Sequence, residues 1–165
     1  DRAFGTGTLT RPTILALCIQ EVDIMNFEEK LKKKTGGRAF FYSFEGVTWA
    51  TRYEGLREAG FVNSDILKLS EVKVEDAEKL LIDVLSTDLC YKSEVMSKYS
   101  ARELAKEFIA LQDKQARFFT NSNVPYRSGE NTWSFTPITE ATIDTGLMVK
   151  VGNQLDSMLW VADID

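Results

Sequence analysis

The stretch that decides the fold is residues 142–164, TIDTGLMVKVGNQLDSMLWVADI. Here the hydrophobic pattern changes from the helical period of the preceding segments to a period of two, which is typical of strands. Gly152-Asn153 interrupts the pattern and marks a turn. The stretch therefore predicts two antiparallel strands, Thr142–Val151 and Leu155–Ile164, that form a hairpin.

A three-residue loop, 152–154, fixes a register for this hairpin. The expected pairs on one face are Val151–Leu155, Leu147–Leu159 and Thr145–Val161, and those on the other face are Lys150–Asp156, Met148–Met158 and Gly146–Trp160. One face is then apolar. The other carries a charge pair and an indole that covers a glycine, and each of these contacts is favourable by about 0.2–1 kcal/mol.

The rest of the chain supplies further strands and the helices. Hydrophobic runs predict strands, and periodic apolar stripes with caps predict helices. The predicted strands are Thr13–Gln20, Ala39–Phe44 and Thr132–Ile138; the predicted helices are a short one capped by Asn26, Thr48–Ala59, Glu75–Leu85 and Ala101–Phe119, and Asn121–Asn131 is a loop.

This order of elements predicts an α+β fold, because strands come early and late with helices between them. We expect a single domain over 1–165, with a mixed or antiparallel sheet, the C-terminal hairpin 142–164 and about four helices packed on it. Residues 1–8 are set apart as disordered or derived from cloning, since the chain begins with Asp1.

Composition limits the classes of function. The net charge is −5, and residues from Glu130 onward hold six acids against one base, Lys150. We therefore expect no general nucleic-acid binding, which needs a basic surface, and a partner protein with a basic surface. No apolar run reaches the ~20 residues of a membrane span. Two cysteines and no Asn-x-Ser/Thr site favour a cytoplasmic location. The oligomeric state stays open.

The chain contains no histidine. This excludes the Ser-His-Asp triad, the Cys-His dyad and His-ligated zinc, and we predict no cofactor and no metal. Carboxylate chemistry stays open, because Asp163 and Asp165 share one side of a strand and could hold Mg²⁺ with Asp144 or Glu140. The alternative is that these charges only keep the strand end solvated.

Two other groups of residues are candidate binding sites. Arg127, Ser128 and Gly129 form an anion-site candidate, because arginine and the backbone N–H groups that glycine frees both bind anions; an ordinary surface turn is the alternative. Aromatic anchors dominate many protein interfaces. The predicted interaction residues are Trp49, Tyr53, Trp133, Asp144, Trp160, Asp163 and Asp165.

Three functions remain in view. The first is a small acidic protein-interaction domain, such as an inhibitor, immunity or antitoxin-like protein, and the missing catalytic residue types favour it over an enzyme. The second is a phosphate- or nucleotide-handling enzyme that uses carboxylates, a divalent metal and Arg127. The third is a small-molecule binding domain with a pocket lined by the aromatic run Phe40, Phe41, Tyr42 and Phe44.

Overall fold

The computed structural model describes residues 14–61, 68–122 and 136–163, and of residues 14–19 the backbone alone. Four helices and five strands lie within these ranges. The helices are α1 Ile14–Thr35, α2 Arg52–Glu58, α3 Val74–Ser86 and α4 Lys98–Ala110. The strands are β1 Ala39–Ser43, β2 Ser70–Val72, β3 Arg117–Thr120, β4 Ile143–Val151 and β5 Gln154–Asp163.

The five strands form one antiparallel sheet in the order β1-β5-β4-β3-β2. Strands β2 to β5 are sequential neighbours, whereas β1 pairs with the last strand. Helices α1, α3 and α4 pack on one face of the sheet, and α2 packs on the other. The predicted α+β fold with an antiparallel sheet and a C-terminal hairpin is therefore confirmed. None of the described helices combines the length and apolar character of a membrane span.

The middle of the hairpin has the predicted register. Leu147 lies opposite Leu159, and Gly146 lies opposite Trp160. A Cβ atom on Gly146 would come within 2.8 Å of Trp160 Cα and 2.9 Å of its Cε3. The expectation that an indole covers a glycine is therefore confirmed.

The register near the turn differs from the prediction. Lys150 lies opposite Leu155, and Val151 lies opposite Gln154, with a register shift next to Val149. The expected pairs Val151–Leu155 and Lys150–Asp156 are therefore wrong. The turn holds only two residues, Gly152-Asn153, and Gly152 adopts a positive φ of 58° that suits such turns. Asp156 becomes an extra residue in β5, so a β-bulge restores the predicted pairing further along.

Both faces of the hairpin are buried, which corrects the expectation of a single apolar face. Leu147 and Leu159 belong to a large core with α1, α3 and α4. Met148 and Trp160 belong to a second, smaller core with Leu56 of α2. The second face is covered because α2 and the chain beside it fold back over the hairpin.

Helix α1 replaces two predicted elements. The apolar run Thr13–Gln20 is not a strand where it is described, and Asn26 lies inside a continuous helix of 22 residues instead of capping a short one. A short apolar run does not distinguish a buried strand from a helix by its period, and the leucines and alanine here are strong helix formers. Phe27 and Leu31 face the core on one side of the helix.

Helix α4 is shorter than predicted and begins earlier. Ser97 caps it by accepting a 3.2 Å hydrogen bond from Ser100 N. The chain reverses at Asp113, whose backbone oxygen accepts a 3.0 Å bond from Ala116 N. The phenylalanines that we expected at the helix end therefore lie in β3, where the pattern has a period of two.

The other predictions have mixed outcomes. The apolar stripe of Glu75–Leu85 is buried in α3, as predicted. Helix α2 begins at Arg52 instead of Thr48, because Thr48 forms an isolated bridge with Gln154 in the hairpin. Of the predicted strand Thr132–Ile138, residues 136–138 are not in a strand and the remainder lies outside the described residues.

Candidate functional site

The predicted site residues fall into three groups. Trp49 and Tyr53 are half-buried at the surface. Asp144, Trp160 and Asp163 are buried, with exposed fractions of 0%, 0% and 5%. The remaining ones lie outside the described residues; they are Arg127, Ser128, Gly129, Trp133 and Asp165.

Asp144 is an internal anchor. Its carboxylate accepts hydrogen bonds from the backbone N–H groups of Ile138 and Thr139, from the Thr139 hydroxyl and from Trp160 Nε1, at 2.5–3.1 Å. Buried charges are tolerated when hydrogen bonds of this kind replace water. Asp144 therefore holds the segment before β4 against the hairpin instead of facing a partner.

Asp163 is the centre of a second buried network. It forms an ion pair with Arg38, with Nε–Oδ1 at 2.5 Å and a second contact of 3.1 Å, and it accepts a 2.6 Å bond from Leu89 N. Arg38 also donates to the carbonyl groups of Val84, Leu85 and Thr87 at the end of α3. The ion pair thus joins the start of β1 and the end of β5 to the C-terminal end of α3.

These two networks contradict the expectation of an acidic docking surface at Asp144 and Asp163. Each carboxylate is enclosed, and each has its own set of partners. They do not converge on a shared cation position, and among the described residues no group of three or more acids and cysteines could hold a metal ion. Two of the acidic residues that give the hairpin its negative charge therefore lie inside the protein.

An aromatic and cationic surface lies instead where α2 meets the sheet. The guanidinium carbon of Arg52 lies 4.8 Å from the ring centre of Trp49 and 4.4 Å from that of Tyr53. Arg52 also donates to the Trp49 carbonyl and to the Tyr53 hydroxyl. These bonds fix the guanidinium between two rings, and its Nε is buried without a hydrogen-bond partner among the described residues.

The same surface continues onto β3 and β4. The Trp49 ring packs on Phe119 with 4.4 Å between ring centres, and the Lys150 ammonium lies 5.4 Å from the Trp49 ring. Contacts of a cation with an aromatic face contribute about 0.5–2 kcal/mol each. We refer to Trp49, Arg52, Tyr53, Phe119 and Lys150 as the aromatic–cation surface.

The backbone explains why Trp49 lies on the sheet and not on a helix. Trp49 N donates a 2.6 Å bond to the carbonyl of Asn153, and Leu155 N donates a 3.0 Å bond to the carbonyl of Val47. The segment before α2 is therefore attached to the turn of the hairpin. This attachment brings a residue from the first third of the chain next to Lys150.

The charge of this surface is positive. In the described ranges neither Arg52 nor Lys150 has a carboxylate within 4.0 Å. Arg117 lies directly opposite Lys150 across the sheet, an arrangement of like charges that costs stability. Glu71 forms a forked ion pair with Arg117 at its edge. The hydrogen bonds from Arg117 lower the pKa of Glu71, and the charges of Arg117 and Lys150 lower it further.

Sequence reasoning missed most of this surface. Trp49 and Tyr53 were predicted as interaction residues, whereas Arg52, Phe119 and Lys150 were not. A signal for Arg52 exists, because it lies next to Tyr53 and three residues after Trp49. No local signal brings Phe119 and Lys150 to the same place, since both depend on strand pairing.

The aromatic run is divided between the two faces of the sheet, which argues against one pocket lined by all four of its rings. Phe41 belongs to the core beneath α1, whereas Phe40 packs on the opposite face with Phe61. Alternate strand residues point to opposite sides of a sheet, so the run is divided between two cores. The cleft of about 620 Å³ between the start of α3 and the end of α4 is lined by other residues, among them Val74 and Ile109.

Comparison of the chain with protein-family models, with curated proteins and with solved structures gives no match.

Proposed function

We propose that the chain is a small acidic protein-interaction domain, of the inhibitor, immunity or antitoxin-like kind, which binds its partner through the aromatic–cation surface. The observation that supports this most directly is Arg52, whose charge is held between two half-buried rings without a carboxylate in the described ranges. Tryptophan, tyrosine and arginine are the residue types that most often dominate the binding energy of protein interfaces.

The electrostatics favour an acidic segment of the partner. From the sequence we expected a basic partner, because most of the net charge lies in the last strands. Asp144 and Asp163 are enclosed, however, and within the described residues Arg52 and Lys150 have no carboxylate within 4.0 Å. A carboxylate of the partner would meet a guanidinium that is already oriented, so little side-chain entropy is lost on binding.

The enzyme alternative has less support. It requires carboxylates that converge in a concave site, and the described acids Asp144 and Asp163 are each occupied in separate networks. Arg127 lies outside the described residues, so the structure adds no support for the enzyme alternative. An interaction domain needs only a surface patch of suitable chemistry, and the half-buried residues around Trp49 supply such chemistry.

The test is affinity capture from the source lysate with the wild-type chain and with Trp49→Ala and Lys150→Gln as baits. Tyr99→Ala and Lys106→Gln are matched controls, because they remove an exposed tyrosine and an exposed lysine elsewhere. Partners are identified by mass spectrometry, and the binding of each purified partner is measured by calorimetry at several salt concentrations. Thermal unfolding shows whether each variant is folded.

We expect one partner to be captured by the wild type and by both controls and to be lost from Trp49→Ala. Its binding should weaken as salt increases, because Lys150 and Arg52 act through their charge. A partner that binds the folded Trp49→Ala and Lys150→Gln variants as well as the wild type would overturn the proposed surface. Recovery of no partner would overturn the proposed function.

A further inference from the structure

Residues 47–59 cross the second face of the sheet with little buried surface of their own, and we refer to them as the strap. They comprise the segment before α2, α2 itself and its C-cap, Ala59. Within the strap, all of which the structure describes, Leu56 is the one apolar side chain that is fully buried. Helix α2 has 7 residues, and a helix of this length is not stable without tertiary packing. The strap is therefore held in place by its attachment to the sheet.

The attachment consists of backbone hydrogen bonds at the start of the strap and one buried side chain further along. Leu155 N donates to the Val47 carbonyl, and Trp49 N donates to the Asn153 carbonyl. Leu56 packs into the second core, with Val47 and Trp49 partly buried at its edge. These contacts are additional to the pairing of the strands. Their loss would therefore release the strap and leave the ladder between β4 and β5 intact.

The opposite face of the sheet does not depend on the strap. Its core is built from the sheet with α1, α3 and α4, and it shares no buried residue with the core that contains Leu56. Helix α3 alone contributes Ala77, Leu80, Leu81, Val84 and Leu85 to it. Segments with few buried apolar contacts open at a lower free energy than a large core does. The strap is thus the described part of the fold that is expected to open first.

The aromatic–cation surface is divided between the strap and the sheet. Trp49, Arg52 and Tyr53 lie on the strap, whereas Phe119 and Lys150 lie on β3 and β4. The contacts that join the two parts are those of the Trp49 ring, at 4.4 Å from the ring centre of Phe119 and 5.4 Å from the Lys150 ammonium. Both contacts are lost when the strap leaves the sheet. The complete surface therefore exists only while the strap is closed.

We propose that the strap opens as one unit while the sheet and the three long helices stay folded, and that only the closed form holds the partner. This inference rests on the proposed function, since closure assembles the surface that the partner would bind. A ligand that binds one of two states shifts the population toward that state. The partner therefore keeps the strap closed, and opening of the strap dismantles the site and releases the partner.

Hydrogen exchange of the purified full chain under native conditions, at a series of low urea concentrations, tests the opening without a partner. The Trp49 and Leu155 amides report it, because their hydrogen bonds cross from the strap to the hairpin. The Leu81 and Val84 amides, in the middle of α3, report global unfolding. We expect Trp49 and Leu155 to share one opening constant, larger than that of the α3 amides by about a hundredfold or more. One constant for all four amides would overturn the proposal.

Leu56→Ala and Leu104→Ala are a matched pair, because each truncates a fully buried leucine, one on the strap and one on α4. Leu56→Ala should raise the opening constant at Trp49 and Leu155 by about thirtyfold or more, since Leu56 leaves its core when the strap opens. Leu104 stays packed in the open form, so Leu104→Ala should raise the constants of the α3 amides by far more than these two. No change in Leu56→Ala, or an equal rise at all amides in Leu104→Ala, would contradict opening of the strap as a unit.

A partner captured by the wild type tests the second half of the proposal. An excess of this partner should slow exchange at Trp49 and Leu155 by about the ratio of its free concentration to its Kd. Unchanged exchange at Leu155 in the complex would show that the open form binds as well. Capture of no partner would overturn the proposed function, and with it the role of the strap in binding, but not its opening. A captured partner together with a single opening constant would overturn the strap and leave the proposed function standing.

Discussion

The indole Nε1 of Trp160 donates a 3.0 Å hydrogen bond to Oδ1 of Asp144, and both side chains are completely buried. This bond joins β5 to β4 on the face opposite the long helices. Because the same carboxylate also binds the backbone of Ile138 and Thr139, one side chain connects the hairpin to the segment that enters it.

We expect Asp144→Ala to lower the free energy of unfolding by at least about 3 kcal/mol. The substitution leaves the Trp160 indole and two backbone N–H groups buried without partners, and each such group costs about 1–3 kcal/mol. Urea denaturation followed by tryptophan fluorescence measures the change. Glu140→Gln is the control, because this exposed acid precedes the same strand; it should change the stability by less than about 0.5 kcal/mol. Similar losses in both variants would contradict the role of Asp144.

The two arginine ion pairs should differ strongly in their contribution to stability. Arg38→Ala leaves Asp163 buried without its cation, for which the usual cost is about 3–5 kcal/mol. Arg117→Ala breaks a pair that is about half exposed and screened by water, so we expect a much smaller loss than for Arg38→Ala. Chemical denaturation of both variants under one set of conditions gives the comparison. The interpretation fails if the two losses are equal.

Gly146→Ala should destabilise the hairpin by about 1–3 kcal/mol or more, the usual range for an overfilled core. A Cβ atom here would overlap the backbone oxygen of Leu159, so the strands themselves must move apart. Shortening the ring therefore does not remove the clash. We expect Gly146→Ala combined with Trp160→Phe to be no more stable than Gly146→Ala alone, as measured by thermal unfolding. Recovery in the double variant would place the strain in the side chain instead.

Asp156→Asn should stabilise the protein at neutral pH. Partial burial raises the pKa of Asp156, and the nearby Asp113 carboxylate raises it further. A group whose pKa is raised by folding contributes stability below its unfolded pKa, and this contribution is lost as the pH rises through its folded pKa. The gain from Asp156→Asn should therefore shrink as the pH falls through the acidic range.

Thermal unfolding between acidic and neutral pH measures this dependence. Asp113→Asn should give part of the same gain, because it removes the neighbouring like charge. Glu103→Gln, at an exposed position on α4, should give none. A loss of stability in Asp156→Asn at neutral pH would show that its charge is favourable in the fold.

The sequence was sufficient for features that depend on short-range patterns. The period of two on either side of Gly152-Asn153 predicted the hairpin, and the pairing of Gly146 with Trp160 followed from matching its faces. The stripe of α3 was likewise readable, because its buried apolar positions lie on one side of a helix. These elements carry their signal within a few residues, so local chemistry determines them.

Tertiary structure decided the features in which distant segments compete or meet. The segment before Asn26 is helical, and the residues after Asp113 lead into a strand. In both places packing against the rest of the fold outweighs the structure that the local pattern predicts. A folded-back segment carrying Trp49 buried the second face of the sheet, which was expected to be partly polar. The same burial turned Asp144 from a predicted contact residue into an internal anchor.

The sequence by itself thus determined the class of fold, the hairpin and the absence of histidine chemistry, since composition and periodicity are local properties. Only the tertiary structure decided which charges face water. Strand pairing places Lys150 opposite Arg117. The segment before α2 folds back over the sheet and brings Arg52 to the same surface, next to Trp49. Asp144 and Asp163, in contrast, are enclosed. A chain with a net charge of −5 therefore presents a positively charged aromatic surface, because burial and pairing select the exposed charges.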